Sequence, residues 1–205
     1  ERLLNFINRA VENINLINKN REFEKKLFYS YSLIGNSENI KNIKDQIKKI
    51  SISESRVFIN GPTGSGKELI ARKIHKESKR KKEPFTVLNG ALLDIKKYEL
   101  ELFGEEKKDG SISYGALEKS NRGILLIDEV SEIPLETQSK ILRVLIDQKF
   151  KRINGNHDIN VDVRIICLSS KDIKKEIENG NFREDLYHRL NVFEINIQPL
   201  KNRVS

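Results

Sequence analysis

The chain has 205 residues, 37% hydrophobic and 33% charged, enough for one α/β domain with a real core plus an appendage, and typical of a soluble globular protein. Its longest apolar runs are four or five residues, which excludes a membrane-spanning helix, and no basic-then-apolar leader suggests a secretion signal. The net charge of +8 could mark a nucleic-acid face, but the lysines are spread out and mixed with acids.

There is no methionine, so the chain is expected to be a piece of a longer protein that starts upstream. Residues 3–26 read as one helix, because Leu3, Leu4, Ile7, Val11, Ile14 and Ile17 recur at spacings of three and four. Its apolar stripe needs a partner, either the rest of the domain or a second copy of the same helix in a dimer. After a turn at Gly35 and a cap at Ser37, residues 38–50 form a second amphipathic helix. From there strands and helices alternate. Strands are expected at 56–60, 85–89, 123–128, 161–169 and 192–197, with helices at 68–77, up to Leu102, at 134–147 with proline in the first turn, and at 171–178. This alternation argues for a parallel sheet covered on both faces. Residues 149–161 carry two short strand-like arms around Asn154-Gly155, a hairpin signal. Residues 101–118, "ELFGEEKKDGSISYGALE", read as a flexible charged loop between two core elements. The single Cys167 lies in an apolar strand and is expected to be an inert core thiol in a reducing cytoplasm.

"GPTGSGKE" (residues 61–68) lies between a strand and a helix. Glycines there let successive N–H groups curl around an anion, the helix start adds its positive end, and Lys67 can reach outer phosphates. The usual hydroxyl after the lysine is replaced by Glu68, so Mg²⁺ would lean more on another carboxylate, the phosphates and water. "ILLIDE" supplies that carboxylate. Asp128 and Glu129 end a buried strand, where two acids are costly unless they meet a metal and a water. Asp128 would hold Mg²⁺ and Glu129 would polarise an attacking water. The plainer alternative is two acids that open a loop.

Taken in order, "LIGNS", "GPTGSGKELIARKIH", "LNGALL", "ELFG", "GILLIDEV", "TQSKILRVL", "VDVRII" and "FREDLYHRL" resemble the ATPase domain of NtrC-type bacterial response regulators, over roughly residues 33–203. Glutamate after the lysine is usual in that family. The resemblance implies an AAA+ P-loop NTPase: a five-stranded parallel sheet in the order 5-1-4-3-2, flanked by helices, in subunits that form rings with ATP between them. It makes Gly61, Pro62, Thr63, Gly64, Ser65, Gly66, Lys67 and Glu68 the Walker A loop, and Asp128 and Glu129 the Walker B pair. It makes Ile34 and Gly35 nucleotide contacts, Asn89 the asparagine that holds the glutamate in an off state, and Arg183 and Arg189 arginine fingers. The residues alone leave the two arginines open between a surface helix paired with acids and fingers supplied to a neighbour, where a finger can be worth ~10³–10⁵ in rate. Residues 1–30 resemble the end of a receiver domain running into a linker, with 31–205 as the AAA+ α/β subdomain. A helical lid and a DNA-binding helix-turn-helix are expected beyond it.

Two departures from the family pattern stand out. The GAFTGA motif that grips sigma-54 is absent after "ELFG", where the sequence reads "EEKKDGSISYGALE" over a shorter stretch. The position of the sensor asparagine is Ser170, whose shorter hydroxyl would reach a γ-phosphate poorly. This combination resembles the NtrX subgroup. It implies a cytoplasmic, sigma-54-independent regulator with ATP and Mg²⁺ as cofactors and slow hydrolysis at most. A homodimer through the linker helix or a hexameric ring, a histidine kinase acting on the receiver domain, and DNA would be its partners. The alternatives are a working sigma-54 activator ATPase and an assembly module that binds ATP without cleaving it.

Overall fold

The computed structural model describes Leu33 and residues 38–92 and 95–199. The expected linker helix, the caps around Gly35 and Ser37, and the nucleotide contacts Ile34 and Gly35 lie outside these residues. In chain order the elements are α1 (Glu38–Ile52), β1 (Val57–Asn60), α2 (Lys67–Glu77), β2 (Phe85–Asn89), α3 (Ile95–Phe103), β3 (Gly104–Glu106), β4 (Ile112–Tyr114), α4 (Ala116–Lys119), β5 (Ile124–Asp128), α5 (Leu135–Asp147), β6 (Lys149–Phe150), β7 (Ile159–Asn160), β8 (Arg164–Ser169), α6 (Ile173–Glu178), α7 (Glu184–Leu190) and β9 (Phe193–Asn196).

Five strands form one sheet in the order β2-β5-β8-β1-β9, and all its pairings are parallel. Burial separates centre from edge. β5 and β8 are inside along nearly their whole length, whereas β2 and β9 keep Val87 and Phe193 exposed. Covered on both faces, the central strands can carry unbroken apolar runs such as "ILLI" and "IICL", which an amphipathic strand could not. Helices supply the cover. α2 turns Ile70, Ala71 and Ile74 inward at helical spacing, and α5 does the same with Ile141, Val144 and Leu145. Cys167 is a free, fully buried thiol in this core, and burial pushes its pKa well up, as expected for an inert group.

The loop expected at 101–118 is instead ordered backbone. β3 and β4 pair antiparallel, Gly104 opposite Tyr114 and Glu106 opposite Ile112. The turn between them closes with Lys107 N–H to Ser111 O (2.9 Å) and Gly110 N–H to Lys107 O (2.9 Å), while Asp109 accepts from the Ser111 amide and hydroxyl. Gly110 takes a positive φ of 80° there. Charge content hid this hairpin, because its strands are three residues long and carry no apolar alternation to reveal them. β6 and β7 pair as the expected second hairpin, with Asn154 in the left-handed region at φ 61°. The two hairpins are joined. Glu106 N–H donates to Ile153 O and Ile153 N–H to Gly104 O, both at 3.0 Å. Arg152 donates two bonds to the Glu118 carboxylate (2.8 and 2.6 Å) and one to Glu106 (2.9 Å), with its guanidinium over the Tyr114 ring.

Arg164 opens β8 with only 2% of its surface exposed. It donates to Ser55 O and Ile50 O, both at 2.9 Å, tying the end of α1 to the sheet. Burial lowers its pKa, the mark of a charge held against desolvation by those two carbonyls. Replacing it with alanine strands both acceptors, so Arg164→Ala should cost ~3 kcal/mol. In a thermal melt that is a fall in midpoint of roughly 10 °C. A loss under ~1 kcal/mol would show that the tie is dispensable.

Candidate functional site

The C-terminal ends of β1, β5 and β8 bring three segments together. β1 ends at Asn60, which pairs with Ser169 of β8, and Gly61 N–H then donates to Ser169 O at 3.2 Å. The chain turns into the 61–68 loop. Gly64 and Gly66 adopt φ of 74° and 90°, conformations that would strain a side chain. Gly61 is needed for a different reason: a Cβ there would sit 2.7 Å from Ile197 O. The Ser65 amide closes the turn on Pro62 O at 3.1 Å, and α2 starts immediately afterwards at Lys67. Pro62, Thr63 and Gly64 form the exposed lip of the loop, while Ser65 and Lys67 point inward.

Lys67 is 6% exposed. Its ammonium donates to Gly61 O (2.8 Å) and Pro62 O (3.3 Å) and lies 3.8 Å from Glu129 Oε1. A buried ammonium held by two carbonyls and a carboxylate sits inside a backbone loop that leads into a helix start, the arrangement that binds phosphate. Beside it a cavity of about 500 Å³ is lined by Gly61, Pro62, Ser170, Asp172, Lys174 and Tyr187 among others.

Asp128 and Glu129 leave the end of β5. Asp128 pairs in register with Asn89 of β2, and its Oδ1 accepts the Glu129 N–H at 3.0 Å. Burial raises the Asp128 carboxyl above its ordinary pKa, and the Glu129 charge adds to the rise; the Glu129 N–H and Lys67 offset part of it. A carboxylate in that position gains from a cation. Among the described residues no cluster of three or more His, Cys, Asp or Glu side chains could hold a metal alone. Asp128 is a carboxylate here that could share a Mg²⁺ with phosphate oxygens and water. Glu68, whose charge also raises the Asp128 carboxyl slightly, is bonded to Arg72 one turn along α2 at 2.6 Å.

Glu129 takes a left-handed backbone at φ 50°, ψ 56°, unusual for a non-glycine residue. Its Oε2 accepts from the backbone N–H (2.9 Å) and hydroxyl (2.7 Å) of Ser170. The Asn89 side-chain carbonyl accepts the Ala91 N–H at 3.0 Å. The sequence singled out Ser170 for what its hydroxyl cannot reach; its contact with Glu129 needed the β5 and β8 ends side by side.

Arg183 caps the start of α7 and Arg189 lies in its last turn, both exposed. Arg183 binds Asp185 through two nitrogens (3.0 and 2.7 Å) and reaches Ser139 Oγ at 3.2 Å. Behind it stands Gln138, fully buried, a residue of the "TQSKILRVL" motif to which the sequence assigned no role. Gln138 donates to Ile133 O and Asn181 O and accepts the Arg183 N–H at 2.8 Å, so α5 fixes where Arg183 starts. The bonds described for Arg183 stay on this face, apart from the 61–68 loop.

Residues 33–196 match the sigma-54 interaction domain family. The chain is 42% identical over 204 residues to the nitrogen assimilation regulatory protein NtrX of Azorhizobium caulinodans, covering 99% of this chain and 45% of that protein. A crystal structure of NtrX from Brucella abortus superposes with a TM-score of 0.90 at 40% identity, covering 98% of this chain and 45% of that one. Another, of the same protein in complex with ATP, gives 0.84 at 39% identity, covering 95% and 45%. The chain thus spans about half the length of these relatives. It has the α/β fold of a P-loop NTPase, and it belongs to the sigma-54 interaction domain family.

Proposed function

We propose that the chain is the ATP-binding central domain of an NtrX-like two-component transcription regulator. The observation that carries this reading is the 61–68 cradle with Lys67 buried inside it, 3.8 Å from a carboxylate at the end of the neighbouring strand. The ATP complex of a relative supports it. In this reading the backbone of 61–66 and Lys67 grip the phosphates, and Asp128 would hold a Mg²⁺, which would neutralise charge on the phosphate oxygens. Glu129 takes the proton from a water whose oxygen attacks the γ-phosphorus as the bond to ADP breaks. Arg183 and Arg189 on exposed α7 would complete the site of a neighbouring copy, in a dimer or ring.

The same reading makes residues 1–30 the linker through which receiver phosphorylation by a kinase alters assembly, and so DNA binding by a downstream domain, in the cytoplasm. Hydrolysis is slow and sigma-54 is not the output. Residues 104–115 read "GEEKKDGSISYG" and form a charged hairpin and the residue after it, with no Phe-Thr tip. The family's name favours a second reading, a sigma-54 activator. Two measurements on the full-length protein decide. Calorimetric titration with Mg·ATP should show saturable binding, and its absence would end the nucleotide reading. Purified transcription from a sigma-54 promoter should show no ATP-dependent stimulation; stimulation would establish the activator instead.

A further inference from the structure

The Glu129 carboxylate is held from both sides. Ser170 gives Oε2 two donors, and Lys67 faces Oε1. The Ser170 donors are themselves fixed, because the Ser169 hydroxyl both donates to Lys171 O (2.9 Å) and accepts the Lys171 N–H (3.2 Å). That closed turn aims the Ser170 N–H at Glu129. The Glu129 backbone is fixed too, by its left-handed conformation and by its N–H on Asp128. The side chain is 18% exposed, so few water contacts compete. Asn89, the neighbour on β2, spends its carbonyl on Ala91.

We propose that Ser170 is the positioning residue that latches Glu129 at rest and yields it when nucleotide enters the cradle, a role that rests on reading Glu129 as the base for ATP hydrolysis. A carboxylate oxygen that accepts two hydrogen bonds is held in one orientation and must give them up before it can turn to a water. Phosphates entering the cradle compete for the Lys67 ammonium, which removes the second restraint and leaves the latch to Ser170 alone. Ser170 directly follows β8, so the restraint comes from the end of the strand paired with β1, which leads into the phosphate loop.

Two measurements on the full-length protein test this. In the first, ¹⁵N-serine labelling follows the Ser170 amide by NMR. It should lie downfield, move upfield in Glu129→Ala, and move the same way when Mg·ATP is added to wild type. An amide that ignores Glu129→Ala would overturn the latch. In the second, Ser170→Ala should raise kcat for phosphate release about 5–10-fold with little change in KM, the effect of losing one charge-assisted donor while the N–H remains. Ser170→Thr, which keeps the hydroxyl, should bring the rate back toward wild type. A lower or unchanged kcat in Ser170→Ala, or a larger rise in Asn89→Ala, would overturn the proposal. If no form releases phosphate but the amide still answers Glu129→Ala and Mg·ATP, the latch stands and hydrolysis falls.

Discussion

Glu129→Gln should lower phosphate release by about a thousandfold while Mg·ATP affinity stays within a factor of about three. The substitution keeps shape and hydrogen-bond reach but removes the basic oxygen. Ser170 can still donate to the amide carbonyl, so the β5–β8 junction keeps its geometry and the loss is chemical. Glu129 contacts Lys67 only at 3.8 Å, and Lys67 has two carbonyl acceptors of its own. The phosphate cradle should therefore survive. A single-turnover assay separates the two effects: bound ATP should persist uncleaved. A rate within tenfold of wild type would mean that another group takes the proton, and Glu129 would lose its assigned role.

Lys67→Ala should weaken Mg·ATP binding by about 100-fold, or ~2.7 kcal/mol. The ammonium is the one buried cation in the cradle, at 6% exposure, and the loop backbone has already desolvated it. Phosphate oxygens would inherit it without a further desolvation cost. Removing it also strips Gly61 O and Pro62 O of a donor and leaves Glu129 without its counter-charge, so some stability is lost as well. Titration calorimetry reads the affinity, and a melt without nucleotide reads the stability. Binding within threefold of wild type would show that the backbone and Asp128 alone hold the phosphates.

The strands that carry the site were legible because chemistry and burial coincide there. "ILLIDE" could be placed as a buried strand ending in two acids, since a doubly covered strand carries four apolar residues in a row. The 61–68 loop was legible from glycine spacing, and the structure shows why: positive φ at Gly64 and Gly66, and backbone contact at Gly61. The hairpin at β3–β4 was not, because three-residue strands held by turn bonds and an arginine from elsewhere leave no periodic trace. Nor was the Ser170–Glu129 bond, which joins residues 41 positions apart through strand order rather than local pattern. Gln138 was missed for the same reason, since its partners at Ile133, Asn181 and Arg183 meet only after α5 and α7 pack.

The join between the hairpins has a mechanical consequence. β3–β4 follows directly on α3, and β6–β7 follows directly on α5. With Arg152 bridging Glu106 and Glu118, and Ile153 stitched to Gly104 and Glu106, neither finger can bend by itself. A load on the 107–110 tip is shared by two roots, one at each helix, and any object that grasped that tip would pull on both together. The α5 root also reaches Gln138, and through it the start of α7. Displacement at the tip would therefore travel as torque toward the face that carries Arg183.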